Sequence, residues 1–236
     1  FTDYAYACKK YDFLNEKYST WKRAVWTAGK GSATENEFYP VNCLYKENKF
    51  YMIHKGTALI ETKRLILRQF TIDDVNAAFS NWTSDEKVTE FLRWPTHETL
   101  SVTERVLKDW IAGYEKNDFY QWAIVPKEIG EPIGTISVVG MDEMTEKIHI
   151  GYCIGSKWWN QGFTSEALDA VISYFFEQVG VKRIESQHDP NNPNSGKVMK
   201  KCGMTYEGAL RKADFSNRGI VDACMYAILK EEYFKL

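Results

Sequence analysis

The sequence predicts a mixed α/β (α+β) layer fold, and three observations carry that reading. Apolar residues alternate with polar ones in some stretches and recur at helical spacing in others. The two patterns follow one another as strand, two helices, three strands, helix, strand, helix, two strands, with no internal repeat. Finally, 44% of the 236 residues are hydrophobic, enough to build a core.

The first fifty residues differ in texture, with Tyr4, Tyr6, Tyr11, Tyr18, Trp21 and Trp26 crowded together and Gly29-Lys-Gly-Ser-Ala-Thr34 breaking the run. Residues 1–51 are therefore read as an N-terminal extension packed on or linked to the main domain, with a helix over 4–28 and paired strands over 39–51. The main domain is placed at 52–236, with Met52 as a candidate start.

Within it, Leu65 and Leu67 alternate with Arg64, Ile66 and Arg68 as in a half-buried strand. Thr71-Ile-Asp-Asp74 offers an N-cap and an acidic first turn to a helix that turns Val75, Ala78 and Phe79 inward. Val102, Val106, Trp110 and Ile111 mark a second helix over 101–114. The period then changes, giving strands over 119–125, 132–139 and 147–154, joined by turns at Gly130-Glu-Pro132 and Asp142-Glu-Met-Thr-Glu146. A loop follows, then a helix capped by Thr164 or Ser165 whose Ala167, Leu168, Val171, Ile172, Phe175, Phe176 and Val179 share a face, ended by Gly180. A strand over 183–188, a loop, a helix over 195–201 stopped by Gly203, and strands over 204–212 and 221–229 complete the domain.

Thirty Lys and Arg stand against 32 Asp and Glu, a net charge of -2, so no overall positive field draws the protein to nucleic acid or an anionic membrane. The longest uncharged stretch, 132–141, falls short of the roughly 20 apolar residues of a membrane span. Five scattered cysteines without a CxxC pair predict reduced thiols in a cytoplasmic protein and no metal site. Phe1-Thr-Asp-Tyr-Ala-Tyr6 has no basic head and apolar run, and is not read as a secretory leader.

Two loops carry the chemistry. Trp159-Asn-Gln-Gly-Phe-Thr164 joins a strand to a helix, and such a joint presents unpaired N–H groups at the positive end of a helix dipole, which favours an anion such as a pyrophosphate. Gly162 would let the backbone approach the ligand. His188-Asp-Pro-Asn-Asn-Pro-Asn-Ser195 is rigid and rich in side-chain amides, with Ser195 at the expected N-cap of the next helix.

In this order the two loops, with Glu61-Thr-Lys-Arg-Leu-Ile-Leu-Arg68, Ile150-Gly-Tyr-Cys-Ile-Gly155, Lys201-Cys-Gly-Met204 and Glu207-Gly-Ala-Leu-Arg211, resemble the Gcn5-related N-acetyltransferase (GNAT) superfamily. Within it they resemble the ribosomal-protein-alanine N-acetyltransferase-like (RimJ/RimL) branch, over about residues 55–236. The resemblance implies an acyl-CoA N-acyltransferase fold, a mostly antiparallel sheet whose central strands, ending at Cys153 and Ile154 and near Gln187, splay apart. Acetyl-CoA would lie in that gap against Cys153, Ile154, Trp159, Asn160, Gln161, Gly162, Phe163, Thr164, Asn192 and Ser195. Trp159 and Thr164 depart from the family's usual loop residues. The tyrosine that many relatives use as an acid falls at Met199, leaving Ser195 as its substitute, and His149 stands where close relatives carry Glu.

Acetyl transfer to an amine needs a neutral amine, a polarised carbonyl and a neutralised thiolate. His149 is the first choice of base, its ordinary pKa being about 6.5, with Glu146 and Glu185 as fallbacks. The backbone N–H near Ile154 would polarise the carbonyl, and Ser195 would hydrogen-bond the departing sulfur. Trp82, Arg93, Trp94, Tyr120 and Asp222 are candidates for holding the acceptor, a protein N-terminus or a small-molecule amine. Acetyl-CoA and that amine are the expected partners, with a homodimer as the one assembly considered. The competing readings are a catalytically silent acyl-CoA sensor, which would bind coenzyme A without turnover, and an interaction protein that docks through residues 1–51.

Overall fold

A computed structural model describes residues 52–235; the helix and strands expected within 1–51 lie outside the described residues. The strands are β1 (Ile60–Glu61), β2 (Leu65–Arg68), β3 (Gln121–Pro126), β4 (Gly134–Asp142), β5 (Lys147–Ile154), β6 (Arg183–His188), β7 (Thr205–Ser216) and β8 (Gly219–Leu229). They form one sheet in the order β1-β2-β3-β4-β5-β6-β8-β7. The helices are α1 (Val75–Ala78), α2 (Glu86–Thr89), α3 (Leu100–Gly113), α4 (Phe163–Tyr174), α5 (Pro193–Lys201) and α6 (Lys230–Tyr233).

Alternation along the strands divides the core between the two faces of the sheet. On one face Tyr120, Trp122, Ile124, Ile148 and Ile150 pack against Leu168, Val171, Ile172 and Phe175 of the α4 side. On the other, Ala123, Val125 and Cys153 meet Phe70, Ala78, Trp82 and Leu107 from the α1 to α3 side. Each such large side chain, fully withdrawn from water, contributes about 1.5–3 kcal/mol. Helices on both faces explain why β3 reads as a continuous apolar run rather than an alternating one.

All pairings are antiparallel except β5 with β6, which run parallel and touch only at Lys147↔Arg183, Ile148↔Ile184 and His149↔Glu185. Beyond that point β5 stays with β4 as far as Ile154 and β6 stays with β8 as far as His188, so the two strands diverge. A bulge at Val139 of β4 sits across from His149 and Ile150, and the extra twist a bulge brings falls where the divergence starts. The splayed pair is thus where the resemblance puts it.

Several local expectations change. The first helix is broken into a 3-10 turn at Ile72–Asp74, α1, and a π-helical turn at Phe79–Thr83. Asp74 is fixed there by Arg68, whose two terminal nitrogens donate at 2.7 and 2.8 Å. The cap of α4 is Gly162, not Thr164 or Ser165; its φ of 81° is a left-handed conformation that suits glycine. Ser195 lies inside α5 rather than at its cap, because Pro193 takes the first helical position and leaves Asn192 as N-cap. The closing strands run longer than the apolar pattern suggests because their connecting tip is anchored, Asn217 N–H donating to Leu92 O at 3.0 Å.

Candidate active site

The loop between β5 and α4 is held by its own side chains. Trp159 Nε1 donates to Ile154 O at 2.9 Å, and Gln161 Nε2 donates to Lys157 O at 3.0 Å. Asp85 accepts from the Ser156 hydroxyl at 2.5 Å, pinning the loop's first turn to the start of α2. Gly155 has no room for a side chain: a Cβ there would lie 2.1 Å from Asn81 O. Asn160 and Gly162 both take positive φ, 62° and 81°. This backbone turns the chain into α4 without a side-chain cap, leaving the first-turn N–H groups of Phe163, Thr164 and Ser165 without capping partners.

Two cations face that turn. A Cβ on Gly162 would sit 3.4 Å from Arg64 Nη2 and 3.9 Å from Lys201 Nζ. Arg64 is positioned by Glu166, which accepts from its Nε at 2.6 Å, and by Gln161 O at 2.9 Å, while its guanidinium lies 4.5 Å over the Phe163 ring. Burial pushes the Glu166 carboxyl up, but bonds from the Thr62 hydroxyl, the Arg64 N–H and its guanidinium outweigh this and hold it below its usual range. Glu166 therefore serves as a strut between β2 and α4. N–H groups, a helix N-terminus and two cations on one turn form a cradle of positive potential, the kind of surface that favours an anion.

The opposite end of the gap is its vertex, at His149 and Glu185. His149 Nδ1 lies 3.6 Å from Glu185 Oε1, and Glu185 also takes Lys147 Nζ at 3.3 Å and Arg183 Nε at 3.1 Å. Burial pushes the imidazole below its ordinary 6.5, with Glu185 opposing in part. Both side chains open onto a cavity of about 200 Å³ that Arg93, Val139, Met141, Asp142 and Lys147 also line. Arg93 reaches it while paired with Asp214 at 2.7 Å.

On the other face of the sheet, Ser195 Oγ is 3.0 Å from the Tyr152 hydroxyl, which also donates to Ser195 O at 3.0 Å. Burial raises the Tyr152 phenol, so it stays protonated and able to donate. Asn192, at the N-cap of α5, makes no capping bond with its side chain.

The predicted residues thus separate. Cys153, Ile154, Trp159, Asn160, Gln161, Gly162, Phe163 and Thr164 form one wall of the gap and the glycine turn that follows it, and Asn192 and Ser195 open the helix after the other wall. The Cys153 thiol itself is buried in the α1 to α3 core and pushed up to about 12. Arg93 is brought to the cavity beside His149, and Trp94 belongs to the same segment, its ring 5.2 Å from that of His97. Three acceptor candidates are not brought there. Trp82 is wholly buried against Phe70, while Tyr120 is buried on the α4 face with its hydroxyl 2.9 Å from His54. Asp222 alternates onto the face opposite Met225 and Ala223 and accepts from Lys212 N–H at 2.8 Å. Of the two fallback bases, Glu146 is taken by Lys182 at 2.6 Å in a turn, whereas Glu185 is beside His149. Tyr152, Arg64 and Lys201 carry no catalytic or binding expectation from the sequence, although each lies inside a motif that carries the resemblance: Ile150-Gly-Tyr-Cys-Ile-Gly155, Glu61-Thr-Lys-Arg-Leu-Ile-Leu-Arg68 and Lys201-Cys-Gly-Met204.

Residues 64–205 match the family model described as an acetyltransferase (GNAT) domain. The chain is 32% identical over 172 residues to the uncharacterized N-acetyltransferase YoaA of Bacillus subtilis (strain 168), covering 73% of this chain and 97% of that protein. It is 31% identical over 97 residues to the ribosomal-protein-serine acetyltransferase of Escherichia coli (strain K12), covering 41% of this chain and 54% of that one. Its fold is also that of RimL, the ribosomal L7/L12 alpha-N-protein acetyltransferase solved with coenzyme A, at a TM-score of 0.65 and 20% identity over 73% of this chain and 98% of that one. With its splayed strands, its glycine-centred cradle and a matching family model over more than half its length, the chain belongs to the GNAT family of N-acetyltransferases.

Proposed function

We propose that the protein transfers an acetyl group from acetyl-CoA to a primary amine by direct attack. The observation that carries this reading is the gap between β5 and β6, with a cationic N–H cradle at its open end and a buried imidazole and carboxylate at its vertex. Acetyl-CoA supplies a thioester carbonyl activated towards amines. Gly162, Arg64 and Lys201 hold its diphosphate, and the free edges of β5 and β6 bind its amide-bearing arm.

His149 takes the proton from the attacking amine, directly or through a water. A ring held below 6.5 is the free base at pH 7, as that role requires. An α-amino group, with a pKa of about 8, asks less of such a base than a lysine at about 10.4, and this favours a protein N-terminus or a weakly basic small amine. The ribosomal-protein acetyltransferase among the relatives supports the same acceptor class. Ser195 and Tyr152, hydrogen-bonded to each other at the start of α5, donate to the sulfur as it leaves.

The test is thiol release from acetyl-CoA in the presence of N-terminal peptides and small amines. Thiol release that depends on the amine is expected. Coenzyme A binding without it would instead support the silent sensor.

A further inference from the structure

A second cavity, of about 660 Å³, lies outside the residues that form the donor gap and the His149 vertex. Phe79 comes to it from the turn after α1, Glu86 and Thr89 from α2, and Pro95, His97 and Glu98 from the segment before α3. Glu86, Pro95 and Glu98 are exposed, so the cavity opens to solvent.

His97 is the buried titratable group in its wall, 7% exposed. Its Nδ1 lies 2.8 Å from Thr103 Oγ1, which lies 2.9 Å from Thr83 Oγ1. The other ring nitrogen, Nε2, makes no hydrogen bond, and it is not sealed in: among the described residues the buried side-chain nitrogens and oxygens without a partner are Trp82 Nε1 and Asp189 Oδ2 alone. A polar atom of a buried residue that reaches only a cavity takes its partner from that cavity.

The charge of the lining says what kind of partner. Three carboxylates and, among the described residues, no Lys or Arg line the cavity. Glu90 is taken by Arg218 at 2.5 Å, whereas Glu86 and Glu98 make no ion pair with any described residue. Such a lining raises the local concentration of cations. Burial, reinforced by the charge of Arg105, holds the His97 imidazole below its ordinary 6.5, so at pH 7 the ring is neutral and does not repel a cation. With Nδ1–H donating to Thr103, Nε2 presents its lone pair to an N–H of the ligand. A metal ion is disfavoured, because no group of three or more His, Cys, Asp or Glu suited to one occurs among the described residues. Phe79 and Pro95 add apolar wall, and the volume falls within the roughly 300–1,000 Å³ of small-molecule sites.

We infer that this cavity binds an organic cation with N–H donors and an apolar body, an amine, amidine or guanidine, whose N–H meets His97 Nε2 and whose charge faces Glu86 and Glu98. None of these residues has a part in donor binding or proton transfer, so the site stands apart from the acetyltransferase reading.

The test is calorimetric binding of benzamidine and of benzamide, its uncharged counterpart of nearly the same shape, to the full chain. The wild type is expected to prefer benzamidine by about tenfold or more, the worth of a charge-assisted hydrogen bond. Glu86→Gln combined with Glu98→Gln alters two exposed side chains and should erase that preference. The imidazole nitrogen resonances give a second readout: His97 Nε2 should shift as benzamidine is added, while those of His149 stay in place. Equal binding of the two probes by the wild type, a preference that survives the double variant, or a shift confined to His149 would overturn the inference.

Discussion

Replacing His149 with alanine is expected to lower kcat by about 10²–10⁴-fold, the range that a positioned general base contributes, with little change in coenzyme A affinity. The ring stands at the vertex of the splayed strands, not at the Gly162 cradle, so on the proposed reading its loss should remove proton transfer and leave donor binding intact. The pH dependence of kcat gives a second readout. Because burial lowers the imidazole pKa, the ring loses its proton below pH 6.5; the acid limb of kcat should therefore fall below 6.5, with a plateau through neutrality. In the alanine variant that limb should disappear. Glu185→Gln should shift the limb further down, since the carboxylate partly opposes the effect of burial.

Gly162→Val is expected to weaken coenzyme A binding about 100-fold or more, as measured by calorimetry. A β-branched residue at φ 81° is strained by about 1–3 kcal/mol. Its side chain would also enter the space that faces Arg64 and Lys201, where the proposed reading seats the diphosphate. Relief of the strain would move the first-turn N–H groups of α4 out of line. The sheet core does not depend on this residue, so the unfolding transition should fall by only a few degrees.

Much of the fold was legible because the strands and helices of the domain carry clean periods: Leu65 and Leu67 against Arg64 and Arg68, or the broad apolar face of α4. Boundaries failed where tertiary contacts override local preference. Thr164 and Ser165 look like caps, but Gly162 turns the chain ahead of both, and Pro193 moves the start of α5 ahead of Ser195. The glycine turn ahead of α4 could be read from glycine spacing and loop order. The acceptor half could not, because it depends on which face a residue takes. Tyr120 and Asp222 have plausible side chains and lie on the face away from His149, while Trp82 is sealed in the core.

The divergence of β5 and β6 is the feature on which donor binding depends, and amide hydrogen exchange with and without coenzyme A tests it most directly. Added coenzyme A should slow exchange along residues 150–154 and 186–188 and at the first turn of α4, residues 163–165, with little effect on β2 or β3. Unchanged exchange in these three segments, in protein that demonstrably binds coenzyme A, would contradict it.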